Sequence, residues 1–195
     1  MGKYIKNLYS RDEDVFRAFQ KCGNLDKTQL NRLELTDTRI KNYCREGYLK
    51  KEPFDIKGQK ENGIGYRLTD LGKQIGRDKF GLDNYAQSQS IRHNLDVANK
   101  YLSLTEKERA TTLNERELRE VVQQRINAIE DLKERDRYQE MLDNGKLSMP
   151  DITYTTEEGT MICYDTITNN YGETEIQAKE ETCTFLKAEM ELNKI

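Results

Sequence analysis

Three short amphipathic segments, each closed by its own stop signal, fill residues 10 to 47, and two strand-like segments follow them. That order constrains the fold more than any other feature of the chain. Ser10 opens the first segment, Asp12-Glu13-Asp14 makes an acidic first turn, and Val15, Phe16, Phe19 and Cys22 recur at helical spacing before Gly23. Asp26 is placed to cap a second helix, Lys27 to Leu33, with Leu30 and Leu33 as its inward pair. Thr36 or Asp37 caps a third, in which Ile40, Tyr43 and Cys44 form the buried stripe and Gly47 ends the run. Tyr48 to Phe54 and Ile64 to Thr69 read as strands around the turn-rich stretch Lys57 to Gly63. Thr69-Asp70 caps a further helix, Leu71 to about Lys79, and Gly81 closes the unit.

Three helices followed by a hairpin with a basic tip predict a winged helix-turn-helix. Beyond it, Asn84 to Leu104 reads as a long helix with two apolar rows: Ile91, Leu95, Ala98 and Leu102, then His93, Val97, Tyr101 and Leu104. Two rows imply burial on more than one side. Asn114 caps a helix expected to run from Glu115 to about Leu142, with Leu118, Val122, Ile126, Ile129 and Leu132 as a narrow seam on a charged cylinder. Such a seam suits packing against one neighbour or a partner chain, and a homodimer is the expectation. After Pro150, Ile152 to Thr155 and Met161 to Thr166 read as a hairpin, and Gly172 precedes a final helix from Glu173 to about Leu192. The expected fold class is mainly α with small β: a winged helix over 1–82, a helical connector and dimerisation region over 83–147, and an acidic hairpin-helix tail over 148–195.

Charge separates these parts. Residues 1–80 hold 18 Lys+Arg against 12 Asp+Glu, whereas residues 148–195 hold 3 against 10, so a chain with a net charge of -3 has a basic head and an acidic tail. Clustered Lys and Arg concentrate phosphates, and an acidic segment beyond a Debye length barely opposes them. The expected partner is double-stranded DNA. No stretch approaches the roughly 20 apolar residues of a membrane helix, and the first residues lack the apolar core of a signal peptide, so no membrane contact and a cytoplasmic location are expected. Cys22, Cys44, Cys163 and Cys183 are widely spaced and His93 is the single histidine, which predicts reduced thiols, no metal set and no cofactor. His93, between two apolar rows, is expected to be a core histidine.

The third helix carries the residue types that read DNA. Arg39 and Arg45 have the fork that matches guanine O6 and N7, Asn42 can pair with adenine N6 and N7, Thr38 sits at the helix N-terminus, and Lys41 shares their face. Lys27, Lys50, Lys51, Lys57, Lys60 and Arg67 are the expected phosphate contacts, supplying affinity without sequence information. If roughly 6 phosphates are neutralised, binding weakens by about three decades over a fourfold salt increase.

Cys44-Arg45-Glu46-Gly47-Tyr48-Leu49, Tyr66-Arg67-Leu68-Thr69-Asp70-Leu71-Gly72 and Arg92-His93-Asn94-Leu95-Asp96-Val97-Ala98-Asn99-Lys100-Tyr101-Leu102 resemble the replication-relaxation proteins of plasmids and integrative elements. Asn114-Glu115-Arg116-Glu117-Leu118 and Met149-Pro150-Asp151 follow in the order of that family. The resemblance implies DNA binding in replication, mobilisation or conjugative transfer, with replication or relaxosome proteins as partners. Some members of the wider group resemble restriction-endonuclease-type nucleases, with an Asp on one strand and acidic-x-Lys on the next. Asp151 fits the first position, but the next strand reads Asp165-Thr166-Ile167, with Ile167 in place of the lysine. A degenerate remnant without enzymatic activity is therefore expected, and metal-dependent nicking at Asp151 and Asp165, with Lys179 reaching back from the final helix in place of the missing lysine, is the alternative. A protein-binding adaptor is a third.

Overall fold

The computed structural model describes residues 4–55, 62–87, 90–168 and 171–195. Two units divide the chain, Met1–Leu104 and Thr105–Ile195. The fold is mixed α/β, with nine helices and two small sheets among the described residues. The expected boundaries near 82 and 147 both fall inside these units, because the helix after residue 90 packs on the first unit and the segment 105–147 contributes to the core of the second.

In the first unit, α1 (Ser10–Cys22), β1 (Asn24–Asp26), α2 (Lys27–Arg32), α3 (Asp37–Arg45), β2 (Leu49–Phe54), β3 (Gly63–Leu68), α4 (Asp70–Phe80) and α5 (Ile91–Ser103) follow one another. Their starts are written in side chains that accept the first free helix amides: Asp26 takes the Gln29 N–H at 2.8 Å, Thr36 that of Arg39 at 3.4 Å and Thr69 that of Gly72 at 3.0 Å. β3 lies between β1 and β2, antiparallel to both, with Tyr66 opposite Lys51 and Leu25. Val15, Phe16, Phe19, Leu25, Leu30, Leu35 and Tyr43 are essentially inaccessible to solvent and form the core. Burying each such side chain stabilises the fold by roughly 1.5–3 kcal/mol, and Phe16 and Tyr43 join α1 to α3 with ring centres 5.9 Å apart. Gly72 lets α4 approach the hairpin, since a Cβ there would collide with the Tyr48 carbonyl oxygen.

α5 starts at Ile91 rather than Asn84, capped by Ser90, and belongs to this unit. Gln29 Nε2 donates to the Leu95 carbonyl and to Asn99 Oδ1, both at 2.8 Å, and Arg32 Nη2 donates to the Leu102 carbonyl at 2.9 Å. His93 is buried on the same helix, 4% exposed. The segment that carries the His-Asn-Leu motif thus braces α2.

The second unit runs α6 (Glu106–Ala110), β4 (Leu113–Asn114), α7 (Glu115–Asn127), α8 (Leu132–Asp143), β5 (Ile152–Thr155), β6 (Met161–Ile167), α9 (Glu173–Leu186) and β7 (Glu189–Lys194). Its sheet has the order β4-β5-β6-β7; β5 and β6 form an antiparallel hairpin, while α9 carries the chain across to β7, parallel to β6. The single helix expected over 115–142 is broken, because Asp131 accepts the Glu134 amide at 2.9 Å and starts α8 afresh. α8 returns along α7, where Gln123 Nε2 donates to Gln139 Oε1 at 2.6 Å.

The break changes the meaning of the predicted seam. Leu118, Val122 and Ile126 have no exposed surface and pack with Leu142, Leu147, Met149, Cys163, Cys183 and Leu186 in the core of this unit. Ile129 is only half-buried, and Leu132, 61% exposed, lies on the next helix. The first three residues of the row meet their own chain, which corrects their expected place at a dimer seam. The final helix also ends earlier than expected: Lys187, with φ 57°, caps α9, and Glu189–Lys194 alternates into a strand.

Candidate nucleic-acid interface

Asp12 is the anchor of α3. It has no exposed surface, and its carboxylate accepts the Tyr9 amide (2.7 Å), the Tyr43 hydroxyl (2.5 Å), Arg39 Nε (2.6 Å) and Arg39 Nη2 (2.6 Å). Burial opposes the charge, but the bonds from Arg39, Tyr43 and Tyr9 outweigh it and hold the carboxyl below its ordinary range. Arg39 also donates to the Asn7 carbonyl at 2.9 Å and lies 5.5 Å from the ring centres of Tyr9 and Tyr43. Its fork is therefore closed on Asp12, which corrects its expected place among the base readers. A guanidinium committed bidentately to a buried carboxylate cannot present the same edge to guanine.

The remaining α3 candidates stand apart from this anchor. Thr38, Lys41 and Arg45 are exposed, and Asn42 is half-buried. Arg45 lies 5.2 Å from the ring centre of Tyr4, whose backbone amide donates to Glu46 Oε1 at the end of α3. Lys27, Asp37, Ile40, Lys41, Lys51 and Tyr66 line a groove between α3 and the β2–β3 hairpin. Lys27 pairs with Asp37 at 2.6 Å, in the open, where such a pair contributes little to stability and yields readily to a stronger anion. Lys41 and Lys51 form no ion pair among the described residues.

Lys50 and Arg67 are less available than their charge suggests. Both face Glu52, at 3.1 and 2.5 Å, and Asn24 Nδ2 donates to the same carboxylate at 3.3 Å. Burial acts against ionisation of Glu52, yet Lys50, Asn24 and Arg67 lower its pKa overall. Asn94 Nδ2 donates to Asn24 Oδ1 at 2.8 Å, so a polar chain runs from the hairpin to α5 and fixes the strands behind the groove. Lys57 and Lys60, at the expected hairpin tip, lie outside the described residues.

In the second unit the structure brings Asp151 and Asp165 together and adds a lysine that strand spacing could not supply. Asp165 Oδ1 accepts the Asp151 amide at 3.3 Å, and Asp151 Oδ2 accepts the Thr166 amide at 2.8 Å. Lys179, from α9, lies 2.6 Å from Asp165 Oδ2 and donates to the Met149 carbonyl at 3.2 Å. Asp165 is 1% exposed, and its pKa is pushed up to about 7, first by burial and then by Asp151, against the pull of Lys179. Among the described residues no group of three or more His, Cys, Asp or Glu side chains could hold a metal ion. The two carboxylates are already engaged by amides and an ammonium, so they do not fit a catalytic cation, and the cluster ties α9 to the hairpin. The four cysteines are free thiols, three of them buried. No helix among the described residues is long and apolar enough to cross a membrane.

No protein-family model, curated protein or solved structure matches the chain.

Proposed function

We propose that the first unit is a winged helix that binds double-stranded DNA, with α3 directed at the major groove and the β2–β3 hairpin at the backbone. The observation that carries this reading is the groove between α3 and the hairpin, lined by Lys27, Lys41 and Lys51. Lysines converging from three elements suit a phosphate backbone better than a solvated surface would require. The anchor of α3 on Asp12 supports it further, because a reading helix needs a fixed angle on its own domain. The resemblance of its sequence to the replication-relaxation proteins supports, as part of this proposal, a role in handling mobile-element DNA, at an origin of replication or transfer or at a promoter.

Titrating an arbitrary duplex into the isotope-labelled full chain tests the reading. Amide shifts concentrated in Thr36–Lys51 and Gly63–Leu68 are expected. Shifts confined to other segments, or none at low salt, would refute it.

A second reading, metal-dependent nicking at Asp151 and Asp165, is favoured by one observation: Lys179 stands where an acidic-x-Lys lysine would be needed. Against it stands the burial of Asp165 and Lys179, at 1% and 8% side-chain exposure, which leaves no approach for a phosphodiester. Supercoiled DNA incubated with Mg²⁺ or Mn²⁺ is expected to stay intact. Cleavage that disappears in Asp151→Ala would establish the enzyme reading instead.

A further inference from the structure

We infer that α3 divides its work by face: Asn42 and Arg45 read adjacent base pairs, Lys41 holds a phosphate with Lys51, and Arg39 is a positioning residue that touches no DNA. This rests on the reading of the first unit as a duplex binder. At about 100° per residue, Thr38, Asn42 and Arg45 fall within a sector of roughly 60°, opposite the stripe of Ile40, Tyr43 and Cys44. Ile40 and Tyr43 are buried at 3% and 0% exposure, so that sector points away from the domain.

The two flanks are occupied differently. Arg39 falls on the side of α1, where Asp12, Asn7, Tyr9 and Tyr43 surround it. Lys41 falls on the other side, in the groove with Lys51 and Lys27. A flexible ammonium on the hairpin side suits a phosphate oxygen, a point contact without base information. Arg45, exposed on the outward sector, is the arginine left to meet a base edge. A planar guanidinium resting against the Tyr4 ring keeps its edge donors free and loses less freedom when they bind.

Asn42 and Arg45 are separated by about 4.5 Å along the helix axis. That is close to the 3.4 Å spacing of successive bases on one strand. Asn matches adenine and Arg matches guanine, each through two hydrogen bonds. The preferred site therefore contains an adenine and a guanine on neighbouring base pairs.

Selection from a random duplex pool, run with the full chain and four variants, tests this division. Wild type is expected to enrich neighbouring adenine and guanine; Asn42→Ala should lose the adenine preference and Arg45→Ala the guanine preference, each by about tenfold or more. Lys41→Ala should keep the selected sequence while its slope of log K against log salt becomes shallower by about 0.9. Arg39→Ala should lower the unfolding midpoint, weaken affinity for every duplex alike and leave the selected sequence unchanged; if it fails to fold, Arg39→Lys replaces it, with the same expectation. Base preference that survives both Asn42→Ala and Arg45→Ala, or that shifts in Lys41→Ala or the Arg39 variant, overturns the division. Enrichment of no duplex at all by wild type defeats the DNA reading itself, and the division with it.

Discussion

Arg39 and Arg45 are chemically identical and lie six positions apart on one short helix, yet one is closed on a buried carboxylate and the other stands exposed beside a tyrosine ring. Asp12 receives four donors and no solvent, so removing the Arg39 guanidinium would leave a buried carboxylate short of its charge partner. Breaking such a pair destabilises by about 3 kcal/mol, more than any exposed pair contributes. Arg39→Ala is expected to lower the denaturant midpoint accordingly, whereas Lys27→Ala, which removes an exposed pair, should leave it nearly unchanged. The Asp12 carboxyl titrates below its ordinary 3.8 in the folded state. Its contribution is therefore present above that pH and disappears as the pH falls through the lowered value. Stability measured between pH 5 and pH 2 should drop more steeply in wild type than in Asp12→Asn.

Asp165 behaves in the opposite sense. Its folded pKa, pushed up to about 7 from 3.8, means that the folded chain retains a proton that the unfolded chain has already released. Stability from this group is greatest below about pH 4 and declines until about pH 7, above which its cost is constant. Replacing it with Asn should flatten that decline, and the proton itself can be followed by the carboxyl carbon shift of Asp165.

At the scale of elements, the first unit was largely legible because its helices announce themselves. Asp26, Thr36 and Thr69 each accept the amide three residues on, as their side chains permit, and Gly23 and Gly81 close helices with positive φ. β1 was not legible, since Asn24–Asp26 is too short to show alternation and exists by pairing with β3. In the second unit, the cap at Asp131 and the alternation Glu189-Met190-Glu191-Leu192 were present signals that a continuing helical pattern concealed. The candidate interface was readable in residue type but not in partnership: nothing in local spacing joins Arg39 to Asp12, or brings Lys179 to Asp165. The seam left both a neighbouring element and a partner chain open for the same reason, because an apolar row is identical whether it meets a partner or its own chain. Leu118→Ala should cost about 2–5 kcal/mol through the cavity it leaves. Its sedimentation at low denaturant should match wild type, because the row is buried within one chain.

Across the whole molecule, the net charge of -3 conceals the property that matters, a basic first unit followed by an acidic second one. The central claim is that the groove between α3 and the β2–β3 hairpin binds duplex DNA through its phosphates. It is tested most directly by the affinity of the full chain for a labelled random-sequence duplex between 50 and 200 mM salt. Contact with roughly 6 phosphates predicts a loss of about three decades over that range, and replacing Lys27, Lys41 and Lys51 together with Ala should make the slope shallower by about 2.7. No binding at 50 mM salt, or a slope that the triple replacement leaves unchanged, would contradict the account.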